Sequence, residues 1–595
     1  MHLALTELVR EPTPFLFFTG KGGVGKTSLA CATAVALADA GKRVLLVSTD
    51  PASNLDEVLG ANLGRTPTPV PGVARLAALN IDPEAAARAY RERLVAPYRG
   101  VLPEAALRSM EEQLSGSCTL EIAAFDEFTR LLGDPAATRD FDHVVFDTAP
   151  SGHTLRLLKL PGAWTGFIAT NTTGTSCLGP LAGLQDQRRL YEGSVAALAA
   201  AARTTLVLVS RPQLSALREA DRTRGELAAL GMNNQRLILN GVYHARQPHD
   251  PPARAMEARE RGALDGKPPG LAALPTIEVP LAARNLVGVA ALRALFRPDA
   301  DRDGSAATGD RPALPPLETL AALTEDLARA GRGVVMTMGK GGVGKTTIAA
   351  AVAVDLARRG FNVHLSTTDP AAHVAAVTHE PVPGLQVSRI DPAAETGAYV
   401  EQVMASAGRN LDAHGRALLE EDLRSPCTEE VAVFRAFART VAGGTNGFVV
   451  LDTAPTGHTL LLLDATEAYH REVARNASNL PAEVRELLPR LRDREFTRIL
   501  IVALPEPTPV HEAAALQTDL RRAGIEPWAW VINQSLAGCD TTDPLLTARG
   551  RGEIPFIHEI AGGLAHRTAR VPWQPDEPVG PAGLRGLLNP APLPA

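Results

Sequence analysis

Short runs of apolar residues alternate along the chain with longer segments of helical periodicity. In the first half the apolar runs are PFLFFTG, RVLLVSTD, HVVFDTAP, TTLVLVS and RLILNGV, and KTSLACATAVALADAG lies between the first two. That intervening segment is typical of a helix that ends at Gly41. Continuous apolar runs of this length are typical of strands buried on both faces of a parallel sheet, with helices as crossovers. The pattern predicts an α/β fold with doubly wound, mostly parallel sheets.

The whole pattern occurs twice. The octet GKGGVGKT contains Lys21 in its first copy and Lys340 in its second, 319 residues later. DTAPSGHT, which begins at Asp147, returns as DTAPTGHT at Asp452, 305 residues later. Self-similarity in the same order indicates a tandem duplication. We therefore predict two copies of one domain in a single chain.

The boundary between the copies is predicted in residues 297–318. The sequence there, RPDADRDGSAATGDRPALPPLE, is rich in Pro, Gly, Ala and Asp and lacks apolar periodicity, as linkers do. This gives a first half at 1–296, a linker at 297–318 and a second half at 319–590. The polar segment near 252–270 is interpreted as a surface excursion.

Composition and charge narrow the class of protein. With 595 residues, 45% hydrophobic and 21% charged, the chain suits several globular cores. The net charge of −6 gives no reason to expect a nucleic-acid partner. The N-terminus lacks the pattern of an export signal, and no apolar run approaches the roughly 20 residues of a membrane span. We expect a cytoplasmic protein whose five cysteines are reduced.

The repeated octets predict nucleotide chemistry. Each completes GxxxxGK[ST], the phosphate-binding P-loop, in which Lys26 and Lys345 reach the β- and γ-phosphates of ATP, and Thr27 and Thr346 ligate Mg²⁺. The alternative is a glycine-rich turn, which two matches between a strand and a helix make less favoured. The loop glycines, whose N–H groups would surround phosphate oxygens, are Gly20, Gly22, Gly23, Gly25, Gly339, Gly341, Gly342 and Gly344.

Four acids fit the same chemistry. Asp147 and Asp452 end apolar strands, where a carboxylate can join the Mg²⁺ shell. Asp50 of STDPAS and Asp369 of TTDPAA end the strand after the P-loop helix, where a carboxylate can orient the attacking water. For each acid the alternative is a helix cap or a turn residue.

One asparagine stands at the equivalent place in each half. Asn240 lies in LILNGV and Asn533 lies in AWVINQ, 293 residues later. Both come directly after apolar runs that predict strands. We interpret them as contacts to the nucleotide base.

Cysteines add a second kind of site. Cys118 and Cys427 open segments of helical spacing, and the positive end of a helix dipole favours thiolate. Cys177 lies in a loop rich in Gly, Ser and Thr. Three such thiols are candidate ligands for a soft ion such as trivalent arsenic or antimony, with free buried cysteines as the alternative. Cys31 is interpreted as a core residue, and Cys539 has no counterpart.

The lysine after the first glycine gives a resemblance. GKGGVGKT resembles the deviant P-loop of the family that includes nitrogenase iron protein, septum-site and plasmid-partition ATPases and arsenite pump ATPases. That resemblance implies that the lysine crosses to the nucleotide of the facing unit, with Lys21 serving the Lys345 site and Lys340 the Lys26 site. The two halves would then form an internal pseudo-dimer, and the chain would be a monomer.

The sequences around the cysteines point to one family within this larger group. SGSCTLEIAAFDEF, TSCLGPL, RSPCTEEVAVF and the two DTAP motifs resemble the arsenite pump-driving ATPase family over nearly the whole chain. The resemblance implies a metalloid site formed by Cys118, Cys177 and Cys427, with His153 and His458 linking it to the nucleotides.

The same resemblance implies a function. It predicts an ATPase that is stimulated by trivalent arsenic or antimony and drives arsenite efflux. The partners implied are a membrane arsenite permease, which would hold the protein at the inner face of the membrane, and a small arsenic metallochaperone.

Rival functions share parts of these motifs. A targeting ATPase for tail-anchored membrane proteins has the P-loop and DTAP motifs, but is built from single halves with a CxxC zinc clasp and a Met-rich groove. This chain is fused, lacks CxxC and has seven methionines. An iron–sulfur reductase needs two symmetric cysteines per half. A partition-type scaffold needs a basic face or a terminal amphipathic helix.

Overall fold

The computed structural model describes most of both halves. The described residues are 2–3, 5–50, 54–101, 103–104, 107, 111, 117–148, 175–176, 179–180, 184–296, 313–368, 380–423, 426–453 and 482–588. Cys177, His153, His458 and Asp369 lie outside them.

The first half contains a nine-stranded sheet. The strands of this sheet are β1 (His2–Leu3), β2 (Phe15–Thr19), β3 (Val44–Ser48), β4 (Thr68–Pro69), β5 (Leu76–Asn80), β6 (His143–Asp147), β9 (Thr204–Ser210), β10 (Gln235–Val242) and β11 (Thr276–Pro280). A separate short hairpin is formed by β7 (Thr175–Ser176) and β8 (Gly179–Pro180). The order is β1-β11-β10-β9-β2-β6-β3-β5-β4, and every pair except β4–β5 is parallel. This arrangement confirms the doubly wound fold.

The second half repeats the central part of this sheet with seven parallel strands. They are β12 (Gly333–Met338), β13 (Val363–Thr367), β14 (Leu385–Arg389), β15 (Phe448–Asp452), β16 (Thr497–Ala503), β17 (Ala529–Ser535) and β18 (Thr568–Pro572). The order is β14-β13-β15-β12-β16-β17-β18. In both sheets the strand before the P-loop is central, so each loop lies at the carboxyl edge where ligands of such sheets bind.

Helices cover both faces of each sheet. In the first half they are Thr6–Arg10, Lys26–Asp39, Leu55–Leu59, Pro83–Val95, Ser117–Gly133, Pro135–Thr138, Leu184–Ala199, Leu214–Ala229, Pro251–Asp265, Pro269–Ala272 and Val289–Ala294. In the second half they are Leu320–Ala330, Lys345–Arg358, Pro392–Ser406, Ala413–Asp422, Pro426–Ala442, Ala482–Arg485, Leu487–Arg492, Pro507–Arg522, Pro544–Glu559 and Gly580–Gly586. No helix in the described ranges is long and apolar enough to cross a membrane.

Each sheet is buried on both faces, as the continuous apolar runs predict. On one face of the first sheet Phe17 stacks on Phe146, with ring centroids 4.4 Å apart, above the Ser117–Gly133 helix. On the other face Phe18 and Val145 pack against the P-loop helix Lys26–Asp39. That helix is rich in alanine, which lets it lie close to the strands.

The start of each half is tied to the far edge of its own sheet. β1 pairs with β11 in the first half, and Glu318 forms a bridge to Ala569 of β18 in the second. The N–H of Glu318 donates to the carbonyl of Thr568 at 2.9 Å. Glu318, the last residue of the predicted linker, is therefore attached to the second half.

The two halves contact each other directly. An apolar cluster joins Tyr243, Ala253 and Met256 of the first half to Leu536, Leu545, Leu546 and Trp573 of the second. The interpretation of residues 252–270 as a surface excursion is wrong, because 251–265 form a helix that buries Met256 in this cluster. The contacts confirm the predicted internal pairing of the repeats.

Candidate functional site

The two P-loops have the same local structure. In the first, Gly25 has the left-handed backbone (φ 93°) that leads into the helix starting at Lys26, and Gly344 repeats this before Lys345. The Nζ of Lys26 donates to the carbonyl of Lys21 at 3.1 Å, so its ammonium lies over the loop. Burial lowers the pKa of Lys26, while the charges of Asp147 and Asp50 oppose that shift.

A hydroxyl and a carboxylate meet beside each loop. Thr27 Oγ1 donates to Asp147 Oδ2 at 2.8 Å, and Thr346 Oγ1 donates to Asp452 Oδ2 at 2.7 Å. Within the described ranges, the buried Asp147 Oδ1 has no hydrogen-bond partner. Burial raises the pKa of Asp147 to about 7, partly offset by Lys26. An oxygen pair of this kind, with one buried oxygen still to be satisfied, fits the shell of Mg²⁺.

The two asparagines brace the loops. Asn240 Nδ2 donates to the carbonyl of Val24 at 2.8 Å, and Asn533 Nδ2 makes the same bond to Val343. A Cβ built on Gly25 would lie 2.2 Å from Asn240 Nδ2, so the close approach requires glycine there. The contact of these asparagines with a nucleotide base stays a prediction.

Asp50 lies at the same site. It follows β3, and its N–H donates to the Ser48 hydroxyl at 3.2 Å. Its charge raises the pKa of both Lys26 and Asp147, after the larger effect of burial. This location is compatible with orienting water toward the phosphates, a role that stays a prediction for Asp50 as for Asp369.

The extra lysine of the second half faces the first site. Lys340 Nζ pairs with Glu512 on the Pro507–Arg522 helix. Burial is the largest cause of the lowered pKa of Lys26, and the charge of Lys340 lowers it further. The charge of Lys340 also lowers the pKa of Asp147, against the larger effect of burial. Both affected groups belong to the first half, and the crossing of Lys340 to that nucleotide stays a prediction.

The lysine of the first half makes a looser pair. Lys21 Nζ lies 3.9 Å from an oxygen of Glu219, on the Leu214–Ala229 helix. Glu219 and Glu512 are equivalent, since 293 residues separate them, as they separate Asn240 from Asn533. Sequence reasoning missed both glutamates, although this common spacing was a usable signal.

The candidate metalloid ligands are described in part. Cys118 is the second residue of the Ser117–Gly133 helix, and Cys427 is the second residue of the Pro426–Ala442 helix, as the periodicity predicts. These helices come from different halves and contact each other. Cys177, His153 and His458 lie outside the described residues, and the ligand set stays a prediction.

Comparisons with known proteins agree with this geometry. The family model described as anion-transporting ATPase matches residues 13–297 and 332–488. The arsenical pump-driving ATPase of Acidiphilium multivorum is 52% identical over 584 residues, which cover 98% of this chain and 100% of the relative. One from Escherichia coli is 53% identical over 575 residues, covering 96% of this chain and 98% of the relative.

A smaller relative bears on the rival function. ATPase GET3 of Malassezia globosa is 28% identical over 279 residues, which cover 44% of this chain and 81% of the relative. Such a match spans about one of the two repeats, whereas the pump-driving relatives align with both. The alternative of a targeting ATPase built from single halves therefore has less support than a pump-driving ATPase.

Proposed function

Because the chain belongs to the anion-transporting ATPase family, an ATP-hydrolysing family, we propose that it couples ATP hydrolysis to the export of arsenite or antimonite. Trivalent metalloid would bind between its two halves and stimulate turnover. The observation that carries the metalloid part is the contact between the Ser117–Gly133 and Pro426–Ala442 helices, because each brings one cysteine from its own half.

The residues at each P-loop have distinct roles in this proposal. Lys26 and the loop N–H groups bind the phosphates of ATP in the first site, and Asp50 orients the attacking water. Thr27 and Asp147 would hold Mg²⁺, as Thr346 and Asp452 would in the second site. When bound, Mg²⁺ neutralises charge on the phosphate oxygens.

The metalloid would act by favouring contact between the halves. A pyramidal site of three thiolates from Cys118, Cys177 and Cys427 would join residues of both halves, with His153 and His458 connecting it to the DTAP motifs. A ligand shifts an equilibrium by its preference for one state, here the arrangement in which the P-loops meet. This arrangement brings Lys340 to the first nucleotide site and, by the pseudo-symmetry, Lys21 to the second.

The export partner belongs to the same proposal. The pump would be a membrane arsenite permease, with a small arsenic metallochaperone as the donor of metalloid. The ATPase would then work in the cytoplasm, bound to the inner face of the membrane through the permease.

The test is ATP turnover as a function of arsenite concentration for five Cys→Ser variants. We expect Cys118→Ser, Cys177→Ser and Cys427→Ser to lose stimulation, measured relative to each variant's own turnover without metalloid, because a hard ligand replaces a soft one. Cys31→Ser and Cys539→Ser are matched controls and should keep it. Full stimulation in the Cys118/Cys427 double variant would refute the metalloid site.

A further inference from the structure

We propose that Glu512 is a positioning residue for ATP hydrolysis, which fixes the ammonium of Lys340 toward the first nucleotide site. The proposal rests on the ATPase activity of the chain and is independent of the metalloid site.

The helix that carries Glu512 docks across the interface. Asn54 Nδ2 donates to Thr508 Oγ1 at 2.7 Å, and His511 Nδ1 lies 2.8 Å from Glu57 Oε1. Thr508 and His511 belong to the first two turns of the Pro507–Arg522 helix, while Asn54 and Glu57 follow Asp50 closely in the first half. These two contacts hold the start of the helix, and with it Glu512, against the first site.

The carboxylate of Glu512 is surrounded by the charged groups of that site. Its side chain is 12% exposed and pairs with Lys340 Nζ. Burial raises the pKa of Glu512 to about 7; the charge and hydrogen bond of Lys340 oppose this, Asp50 adds to it and Lys26 opposes it. On the same helix, the neighbouring His511 turns to Glu57 and to Glu559.

Glu512 supplies what a lysine in this place needs. A lysine side chain has a flexible stem, and its charge stabilises a transition state only when it is fixed beforehand at the right place. Glu512 and Lys340 come from the same half, so the carboxylate can orient the ammonium without any residue of the first half. Removing the carboxylate would leave a half-buried ammonium free to take other rotamers.

The other half provides a matched comparison. Glu219 is the equivalent of Glu512, yet its oxygen lies 3.9 Å from Lys21, whereas Lys340 and Glu512 are in direct hydrogen-bond contact. Lys21 is also the more exposed lysine, at 37% against 22%. Positioning by the glutamate is therefore stronger at Lys340.

The test compares Glu512→Gln with Glu219→Gln in the full chain, without metalloid. We expect Glu512→Gln to lower kcat about tenfold and to change KM for ATP little, because the contact matters in the transition state. Glu219→Gln should lower kcat less. Lys340→Ala should lower kcat by at least as much as Glu512→Gln does. The double variant Lys340→Ala/Glu512→Gln should be no slower than Lys340→Ala alone.

A pH profile separates positioning from a structural role. Protonation of Glu512 below pH 7 breaks its ion pair, so part of the fall in kcat at acidic pH should be absent in Glu512→Gln. Asp147, whose pKa is also raised, and Asp50 belong to the same site in both proteins, so only the difference between the two profiles is assigned to Glu512. Additive losses in the double variant, or a profile of Glu512→Gln that is parallel to wild type, would overturn the proposal. The arsenite response of the cysteine variants does not bear on this proposal, because the test is made without metalloid.

Discussion

The Cα of Gly341 occupies the space that a side chain on Gly22 would need: a Cβ built on Gly22 would lie 2.4 Å from it. The contact is reciprocal, because a Cβ on Gly342 would lie 2.1 Å from the carbonyl oxygen of Gly22. The two P-loops therefore touch backbone to backbone. Gly22 and Gly341, which directly follow Lys21 and Lys340, therefore permit the close pairing of the two halves.

Gly22→Ala should uncouple the two sites. The added methyl group clashes with backbone, and overpacking of about 1–3 kcal/mol would lower turnover about five- to 150-fold by opposing loop contact. The measurement is steady-state kcat together with thermal unfolding of the same variant. Gly64→Ala is the control, because nothing lies within 4 Å of a Cβ there. Unchanged kcat in Gly22→Ala would mean that turnover does not need the loops to meet.

Asp250 and Asp543 exchange hydrogen bonds between the halves. Each caps its own helix, and Asp250 also accepts from the Thr541 hydroxyl at 2.6 Å, while Asp543 accepts from the N–H of Arg246 at 2.8 Å. Asp250 and Asp543 are 4% and 0% exposed. The equivalent positions of the two repeats thus bind each other's loop.

Asp250→Ala and Asp543→Ala should therefore destabilise more than loss of a simple cap. A cap contributes about 1 kcal/mol, and each part-buried hydrogen bond across the interface contributes about 1 kcal/mol more. The check is the midpoint of urea unfolding against Asp82→Ala, which removes a cap that serves only its own helix. Equal shifts for Asp82 and Asp250 would show that the bonds across the interface contribute nothing.

The sequence predicts the parts of the fold that depend on local pattern. Buried strands, both P-loops and the position of Asp147 at a strand end beside the loop follow from apolar runs and motif spacing, because a parallel sheet places its strand ends at one edge. The two-residue strands β1 and β4 exist only through pairing with neighbours, and nothing in their own residues distinguishes them. Helix 251–265 was missed because its outward face is strongly polar and its few apolar residues meet the other half.

The candidate site divides in the same way. Residues with a motif, such as Lys26 and Asp147, were identified from spacing. Glu512 has no motif, and its role depends on where a helix of one half meets the other half, which long-range packing decides. Comparison of the two repeats at the common spacing of 293 residues recovers Glu219 with Glu512 and Asp250 with Asp543.

Stability should fall as pH rises from about 4.5 to 7. Four carboxyls, Asp147, Glu260, Glu512 and Glu553, have a pKa of about 7 in the folded protein, raised chiefly by burial. In this window the folded state keeps protons that the unfolded state has released, so each group lowers the free energy of unfolding by up to about 3 kcal/mol as pH rises.

The measurement is the unfolding temperature at several pH values from 5 to 8.5, without nucleotide or Mg²⁺. Glu553→Gln should flatten the dependence, because it removes one of the four groups and keeps an oxygen acceptor for the N–H of Leu536 or Ala537. Carboxyls with a lowered pKa, such as Asp142 at about 2, change their charge at a lower pH than this range and do not affect the measurement. An unfolding temperature that rises steadily up to pH 8 would contradict the assignment.

The five thiols should differ in reactivity. Burial raises the pKa of Cys31 well above its usual value and that of Cys539 to about 11, where nearby acids add to the effect. Thiolate is the reactive form, so both should alkylate slowly at pH 7.5. Cys118 and Cys427, at the second position of their helices, have the helix dipole in their favour and should react first.

Timed alkylation with iodoacetamide, read out by peptide mass spectrometry, checks this order. Arsenite added beforehand should protect Cys118 and Cys427 together, because one ion would bind thiols of both halves. Cys31 and Cys539 provide the internal control, since their slow labelling should not depend on arsenite and should become fast in urea. Protection of one cysteine without the other would indicate a metalloid site confined to one half, which could not draw the P-loops together.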